Sequence, residues 1–193
     1  RIADYQPVDI HQLVDDFAAQ NPSVVMETPE VTAQYYPETG RDRVLAAADR
    51  LGLDVEVIDR PAAASLAEAA AMLGITAADI VKSLVVRRRA GEYLFVLVPG
   101  DAQISWPKLR AAAGANKLML PPAEEAFEAT GYGRGTIAPL GSTVAWPVFA
   151  APGMRGRRVS MGAGEHGASL FVDGDALLAA LDATVTDITD PVP

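Results

Sequence analysis

The spacing of apolar residues along this chain switches repeatedly between a helical period and a period of two, and each switch marks an element. Residues 41–51 carry their apolar positions on one helical face, and Gly52 ends the pattern. Residues 54–59 read as a strand, with Val55 and Ile58 apolar. Ser65-Leu66-Ala67-Glu68 has the form of a capping box and opens an Ala-rich helix that stops at Gly74. Thr76 marks a further helix start, but the run from Ile80 to Val86 is too β-branched to stay helical. That run predicts a strand over 81–88, paired around Ala90-Gly91 with a second strand over 93–98. Helices are expected over 105–113, with Pro107 in the first turn, and over 122–129, with a short strand at 117–120 between them. Strands near 144–149, 158–161 and 169–172, a helix over 174–181 and an extended piece at 184–188 complete the order. Strands and helices mix without strict βαβ alternation, so the pattern predicts an α+β fold with a mixed or antiparallel sheet.

Residues 1–40 follow another rule. Ile10, Leu13, Val14 and Phe17 share one helical face, and an acidic stretch punctuated by Pro22, Pro29 and Pro37 follows. We read 1–40 as an N-terminal extension and 41–190 as the main domain. The 193 residues suffice for one full core, and 50% hydrophobic with 21% charged residues is ordinary for a globular protein. No run approaches the ~20 apolar residues of a membrane span, and Arg1-Ile2-Ala3-Asp4-Tyr5 has no apolar signal core. The absence of cysteine excludes disulfides and thiolate metal sites. Cytoplasm is the expected location, with no membrane partner, no cofactor and no metal.

Charge changes the picture of possible partners. A net charge of -9 argues at first against nucleic acid. Yet residues 1–80 hold five Lys/Arg against fourteen Asp/Glu, whereas 81–158 hold eleven against five, and 159–193 hold none against six. The middle segment, with Arg87-Arg88-Arg89 and Arg155, Arg157 and Arg158, can form a phosphate-binding patch while the whole chain stays acidic. Solvated strand ends and turns explain the same cluster equally well from charge alone.

Two features carry chemistry. In residues 130–141, five of twelve positions are Gly or Pro (Gly131, Gly133, Gly135, Pro139 and Gly141), so the loop offers main-chain N–H groups rather than side chains. Lys82 lies in the strand Val81-Lys82-Ser83-Leu84-Val85-Val86, on the face shared by Leu84 and Val86. A lysine there either reaches solvent at a strand edge or projects its ammonium into a pocket, to hold a phosphate or polarise an oxygen. Gly162-Ala163-Gly164-Glu165-His166-Gly167 spells GxGxxG, but the segment after it reads as a strand, so the helix N-terminus of a dinucleotide site is missing. His11 and His166 have no triad or metal partners near them in sequence, and Trp106 and Trp146 sit in patterns of ordinary packing.

Taken together, Val81-Lys82-Ser83-Leu84-Val85-Val86, Gly100-Asp101, Lys108-Leu109, Thr130-Gly131-Tyr132, Gly135-Thr136-Ile137-Ala138-Pro139-Leu140-Gly141 and Asp175-Ala176-Leu177-Leu178 resemble the YbaK/EbsC family in order and spacing. These are relatives of the editing domain of bacterial prolyl-tRNA synthetases, and the match spans about residues 41–190. The resemblance implies a mixed, barrel-like β-sheet surrounded by helices. It implies hydrolysis, in trans, of mischarged tRNA, with Cys-tRNA(Pro) or another small amino acid on tRNA(Pro) as substrate. Mischarged tRNA would be the partner, with prolyl-tRNA synthetase as a second candidate. The family's essential lysine falls on Lys82, and its G-x-x-x-P loop on Gly135, Thr136, Ile137, Ala138 and Pro139, with Gly141 just beyond. The loop amides would hold the aminoacyl group and its oxyanion, and Lys82 the terminal nucleotide or its phosphate. Water, or the thiol of the misattached Cys, would attack, so no side-chain nucleophile is required. The chain departs from the family at Ala150, where relatives often carry Asp, and at Ala138, where YbaK has Ser. These departures leave open a second reading, a catalytically inactive tRNA- or synthetase-binding module on the same fold.

Overall fold

The computed structural model describes residues 39–192. The helical face expected over residues 10–17 lies outside them. Thr39 caps α1 (Gly40–Arg50): its hydroxyl accepts the N–H of Asp42 at 3.1 Å, and the Asp42 carboxylate accepts the Thr39 N–H at 2.9 Å. Two donors that the helix leaves unpaired are thereby satisfied, and Val44, Ala47 and Ala48 face the core.

Nine strands arrange into three sheets among the described residues. β1 (Val55–Asp59) pairs antiparallel with β7 (Ala168–Asp173), which pairs antiparallel with β6 (Arg158–Gly162). The second sheet runs β2 (Val81–Arg89), β3 (Glu92–Pro99), β5 (Val148–Ala150), β8 (Thr184–Val185). Within it the β2–β3 hairpin is antiparallel and the β3–β5 and β5–β8 pairs are parallel. β4 (Ala102–Ile104) and β9 (Thr189–Pro191) form a separate antiparallel pair. Between the strands lie α2 (Leu66–Leu73), α3 (Trp106–Ala113), α4 (Ala123–Thr130) and α5 (Gly174–Ala180). Among the described residues no helix is long and apolar enough to cross a membrane.

β3 explains how the layers stack. Its residues alternate between two cores: Phe95 and Leu97 join Val44, Val81, Val85, Leu140 and Leu170, whereas Leu94, Val96 and Val98 join Val86, Leu109 and Ile188. A strand buried on both faces reads in sequence as the continuous apolar run seen here.

The α+β class and the mixed sheet stand, but the described strands close no barrel. The two larger sheets meet at a single bridge, Ile80 to Ser160. The strand expected at 117–120 is reduced to one bridge, between Met119 and Arg87. Pro121 and Pro122 follow directly, and proline has no N–H to continue a ladder. Among the described residues the outer edge of β2 is therefore left without a strand partner between those two bridges. Three smaller differences accompany this one. The strand near 144–149 is confined to Val148–Ala150, the piece at 184–188 to Thr184–Val185, and β4 and β9 were not anticipated.

Candidate active site

The open edge of β2 forms one wall of a cavity of about 650 Å³. Arg87 donates its N–H outward to Met119 at 2.8 Å, and Ile80 turns its carbonyl inward to the N–H of Gly100 at 2.7 Å. The alternation of an antiparallel ladder then directs the main-chain N–H and C=O groups of Ser83 and Val85 toward the cavity. Opposite them stand Ser160, Met161 and Gly162 of β6, Ala168 and Ser169 of β7, and the segment from Leu120 to Ala123. Arg60, Lys82 and Arg134 contribute to the lining, and among the described residues no Asp or Glu does. In a chain of net charge -9, a described lining with three cations and no carboxylate gives this cavity a local positive potential.

Lys82 is half-buried at this wall. Its ammonium donates to the carbonyl oxygen of Gly100 at 3.3 Å and to that of Ala102. An ammonium has three N–H bonds, so one remains for a ligand. Burial holds the Lys82 pKa below the ordinary lysine value, and the charge of Asp101 pulls it the other way. The two carbonyls fix the direction of a side chain that would otherwise sample many rotamers.

The glycine loop is held from below by one arginine of α1. The Arg43 guanidinium donates to the carbonyls of Gly141 at 3.1 Å, Gly131 at 3.4 Å and Thr130 at 3.1 Å, and lies 4.3 Å from the centre of the Tyr132 ring. Both ends of the loop are thus tied to a single fork. The buried Tyr132 hydroxyl donates to Leu140 at 2.8 Å, and Thr136 takes its own turn bond from its N–H to Gly133 at 3.0 Å. Gly141 has φ +69, and a Cβ there would stand 2.5 Å from the Arg43 carbonyl oxygen, so only glycine fits.

Of the loop residues singled out from sequence, Gly135 and Ile137 join Lys82 in the cavity wall. Their N–H groups have no acceptor among the described residues. Thr136 and Ala138 are buried inward, at 3% and 0% exposure. Pro139 and Gly141 line a different cavity, with Trp146, Pro147 and Leu181. The GxGxxG segment is the turn of the β6–β7 hairpin, and its Gly164 N–H donates to the Thr136 carbonyl at 3.0 Å. A Cβ on Gly162 would meet the Ile137 oxygen at 2.7 Å, which is how closely β6 and the loop approach.

Sequence reasoning missed Ser83 as a site residue. Its Oγ is buried in the cavity wall with no hydrogen-bond partner among the described residues. The available signal was period two, which sets this one hydroxyl between Val81 and Val85 on a core-facing strand face. Arg60, which donates from Nε to the Ser169 hydroxyl at 2.9 Å, and Arg134, an exposed side chain at the rim, were also missed. Each lies far in sequence from Lys82.

The chain as a whole is similar to known proteins. A family model described as "Aminoacyl-tRNA editing domain" matches residues 60–180, more than half of the chain. Among curated proteins, the proline–tRNA ligase of Thermosipho africanus is 34% identical over 88 residues, which cover 46% of this chain and 16% of that protein. EbsC of Enterococcus faecalis, whose name assigns it as a Cys-tRNA(Pro)/Cys-tRNA(Cys) deacylase, is 26% identical over 132 residues, covering 68% of this chain and 79% of that one. A crystal structure titled as a trans-editing enzyme for prolyl tRNA synthetase superposes with a TM-score of 0.73 at 27% identity, covering 80% of this chain and 99% of that one. The chain thus spans about a sixth of the ligase it resembles and most of the two smaller proteins.

Proposed function

Because this chain belongs to the family of aminoacyl-tRNA editing domains, we propose that it is a trans-acting deacylase of mischarged tRNA, with Cys or another small amino acid on tRNA(Pro) as substrate. Residues 41–190 act as the editing domain and residues 1–40 as an extension to it. The observation that carries the reading is the cavity itself: cations at its wall and rim, open main-chain groups along one edge, and no carboxylate among the described lining residues. A 3′-aminoacylated nucleotide needs that combination, since its phosphate is anionic and its ester develops negative charge on the carbonyl oxygen. The volume, about 650 Å³, lies within the usual range for small-ligand sites.

In this account Lys82 holds the terminal nucleotide with its remaining N–H and so fixes the ester in place. The N–H groups of Gly135 and Ile137 accept the charge that develops when the carbonyl is attacked. Water adds to the carbonyl carbon, and the bond from that carbon to the ribose oxygen breaks. The ribose oxygen takes up a proton, and the amino acid leaves as its carboxylate. Ser83 Oγ, buried without a partner, is positioned to contact the amino acid and contribute to its selection. The departures that favoured an inactive binding module, Ala138 and Ala150, are both fully buried in the core and line no part of this cavity. That placement supports the enzymatic reading.

The test is release of cysteine from Cys-tRNA(Pro) by the purified protein. The expected result is free amino acid and intact tRNA at a rate well above spontaneous ester hydrolysis. No release above that background, from folded protein, would overturn the proposal.

A further inference from the structure

A second cationic recess lies at the far end of the same strand, and it has no place in the chemistry of the ester. Arg87, Arg88, Arg89, Ala90, Lys117 and Met119 line a cleft of about 380 Å³ at the β2–β3 turn, again with no carboxylate among the described lining residues. Two of its cations are committed. Arg87 donates to both oxygens of Glu125, at 2.8 and 3.1 Å, and Arg89 pairs with Glu92. Arg88 and Lys117 are exposed and make no ion pair among the described residues. The Met119–Arg87 bridge holds their two segments side by side.

We propose that this cleft binds the phosphodiester backbone of the tRNA whose 3′ end enters the main cavity. The inference rests on the deacylase reading and extends it. β2 joins the two sites: from Lys82 to Arg88 is six residues, about 20 Å of strand at ~3.3 Å per residue, a distance that several nucleotides bridge. The segment leading from Lys117 to Leu120 runs from the cleft to the cavity mouth, so one continuous edge connects them. A guanidinium and an ammonium held apart from carboxylates match successive phosphates, and such contacts position a nucleic acid without reading its sequence. This arrangement gives the basic middle of an acidic chain a specific task.

The experiment compares Arg88→Glu/Lys117→Glu with the wild type on full-length aminoacyl-tRNA, on the aminoacyl ester of adenosine, and on uncharged tRNA. The expected result is a rise in KM of about tenfold or more for the full tRNA, with a salt dependence of log KM shallower by roughly 1.5. Turnover of the adenosine ester, too short to reach the cleft, stays at the wild-type level. A charge-reversal control elsewhere on the surface, Arg50→Glu, keeps the wild-type KM. An unchanged KM and salt slope in the cleft variant overturn the proposal, as does an equal loss on both substrates or an equal loss in the control. Binding of uncharged tRNA reads the cleft independently of catalysis. A wild type that binds tRNA through Arg88 and Lys117 yet cleaves no ester would refute the deacylase reading and leave the cleft supported.

Discussion

At the scale of single residues, Lys82 and Ser83 are neighbours with opposite consequences. Lys82 spends two of its three N–H bonds on the carbonyls of Gly100 and Ala102, so removing it opens the site without emptying the core. Lys82→Ala should leave the circular dichroism spectrum intact and lower deacylation by about two orders of magnitude or more. Its pH dependence follows from burial, which lowers the pKa in the folded state. Activity that depends on the ammonium should decline as pH rises through a value below the ~10.4 of a free lysine, after subtraction of spontaneous hydrolysis. The sign for stability is the reverse. The cost of burying the charge stands in full below the folded pKa and is relieved as pH rises through it toward the unfolded value. Ser83→Ala removes a buried hydroxyl that lacks a partner. It should raise stability by about 1 kcal/mol in denaturant unfolding while weakening discrimination among amino acids. A Ser83→Ala protein that keeps wild-type selectivity would remove this hydroxyl from the substrate site.

At the scale of elements, the glycine loop is legible in sequence as a loop, but its support is not. Gly135 and Ile137 were singled out because glycine and proline density marks a segment that exposes its backbone and the family's G-x-x-x-P loop falls on it. Arg43 gave no such sign: it reads as one more polar position of an amphipathic helix, and its three carbonyl partners lie 87 to 98 residues away. The same limit explains why Thr136, Ala138, Pro139 and Gly141 were grouped with the site. A motif records which residues are contiguous, while the path of the chain decides that alternate ones turn inward. Arg43→Ala should cost roughly 3 kcal/mol, since it leaves carbonyls at both loop ends without a charged donor. Arg43→Lys should recover only part of this, because an ammonium cannot reproduce the guanidinium fork. Thermal unfolding measures the first effect. Loss of kcat in the folded Arg43→Lys protein measures how far the loop's geometry matters to the reaction.

At the scale of the whole molecule, periodicity alone pointed to an α+β chain with a mixed or antiparallel sheet, and most helices and strands fall within a few residues of their expected limits. Sheet closure was not legible. Whether β2 finds a partner on its outer edge depends on where residues 117–122 pass, and two consecutive prolines, Pro121 and Pro122, stop that segment after one bridge. The open edge that defeats a closed barrel is the same edge that walls the cavity. The distribution of charge was legible, and it matters more than the total: in an acidic chain, Lys82 and Arg88, near the two ends of one strand, stand at two cavities and make no ion pair among the described residues.

The central claim is that this edge, with Lys82 and the amides of Gly135 and Ile137, cleaves the ester of a mischarged tRNA. The most direct measurement is deacylation of Cys-, Ala-, Ser- and Pro-tRNA(Pro) by the wild type and by Lys82→Ala. Rapid cleavage of at least one mischarged species is expected, with sparing of Pro-tRNA(Pro) and loss of that cleavage in the variant. Undiminished cleavage by Lys82→Ala, or no cleavage of any species by folded wild type, would contradict it.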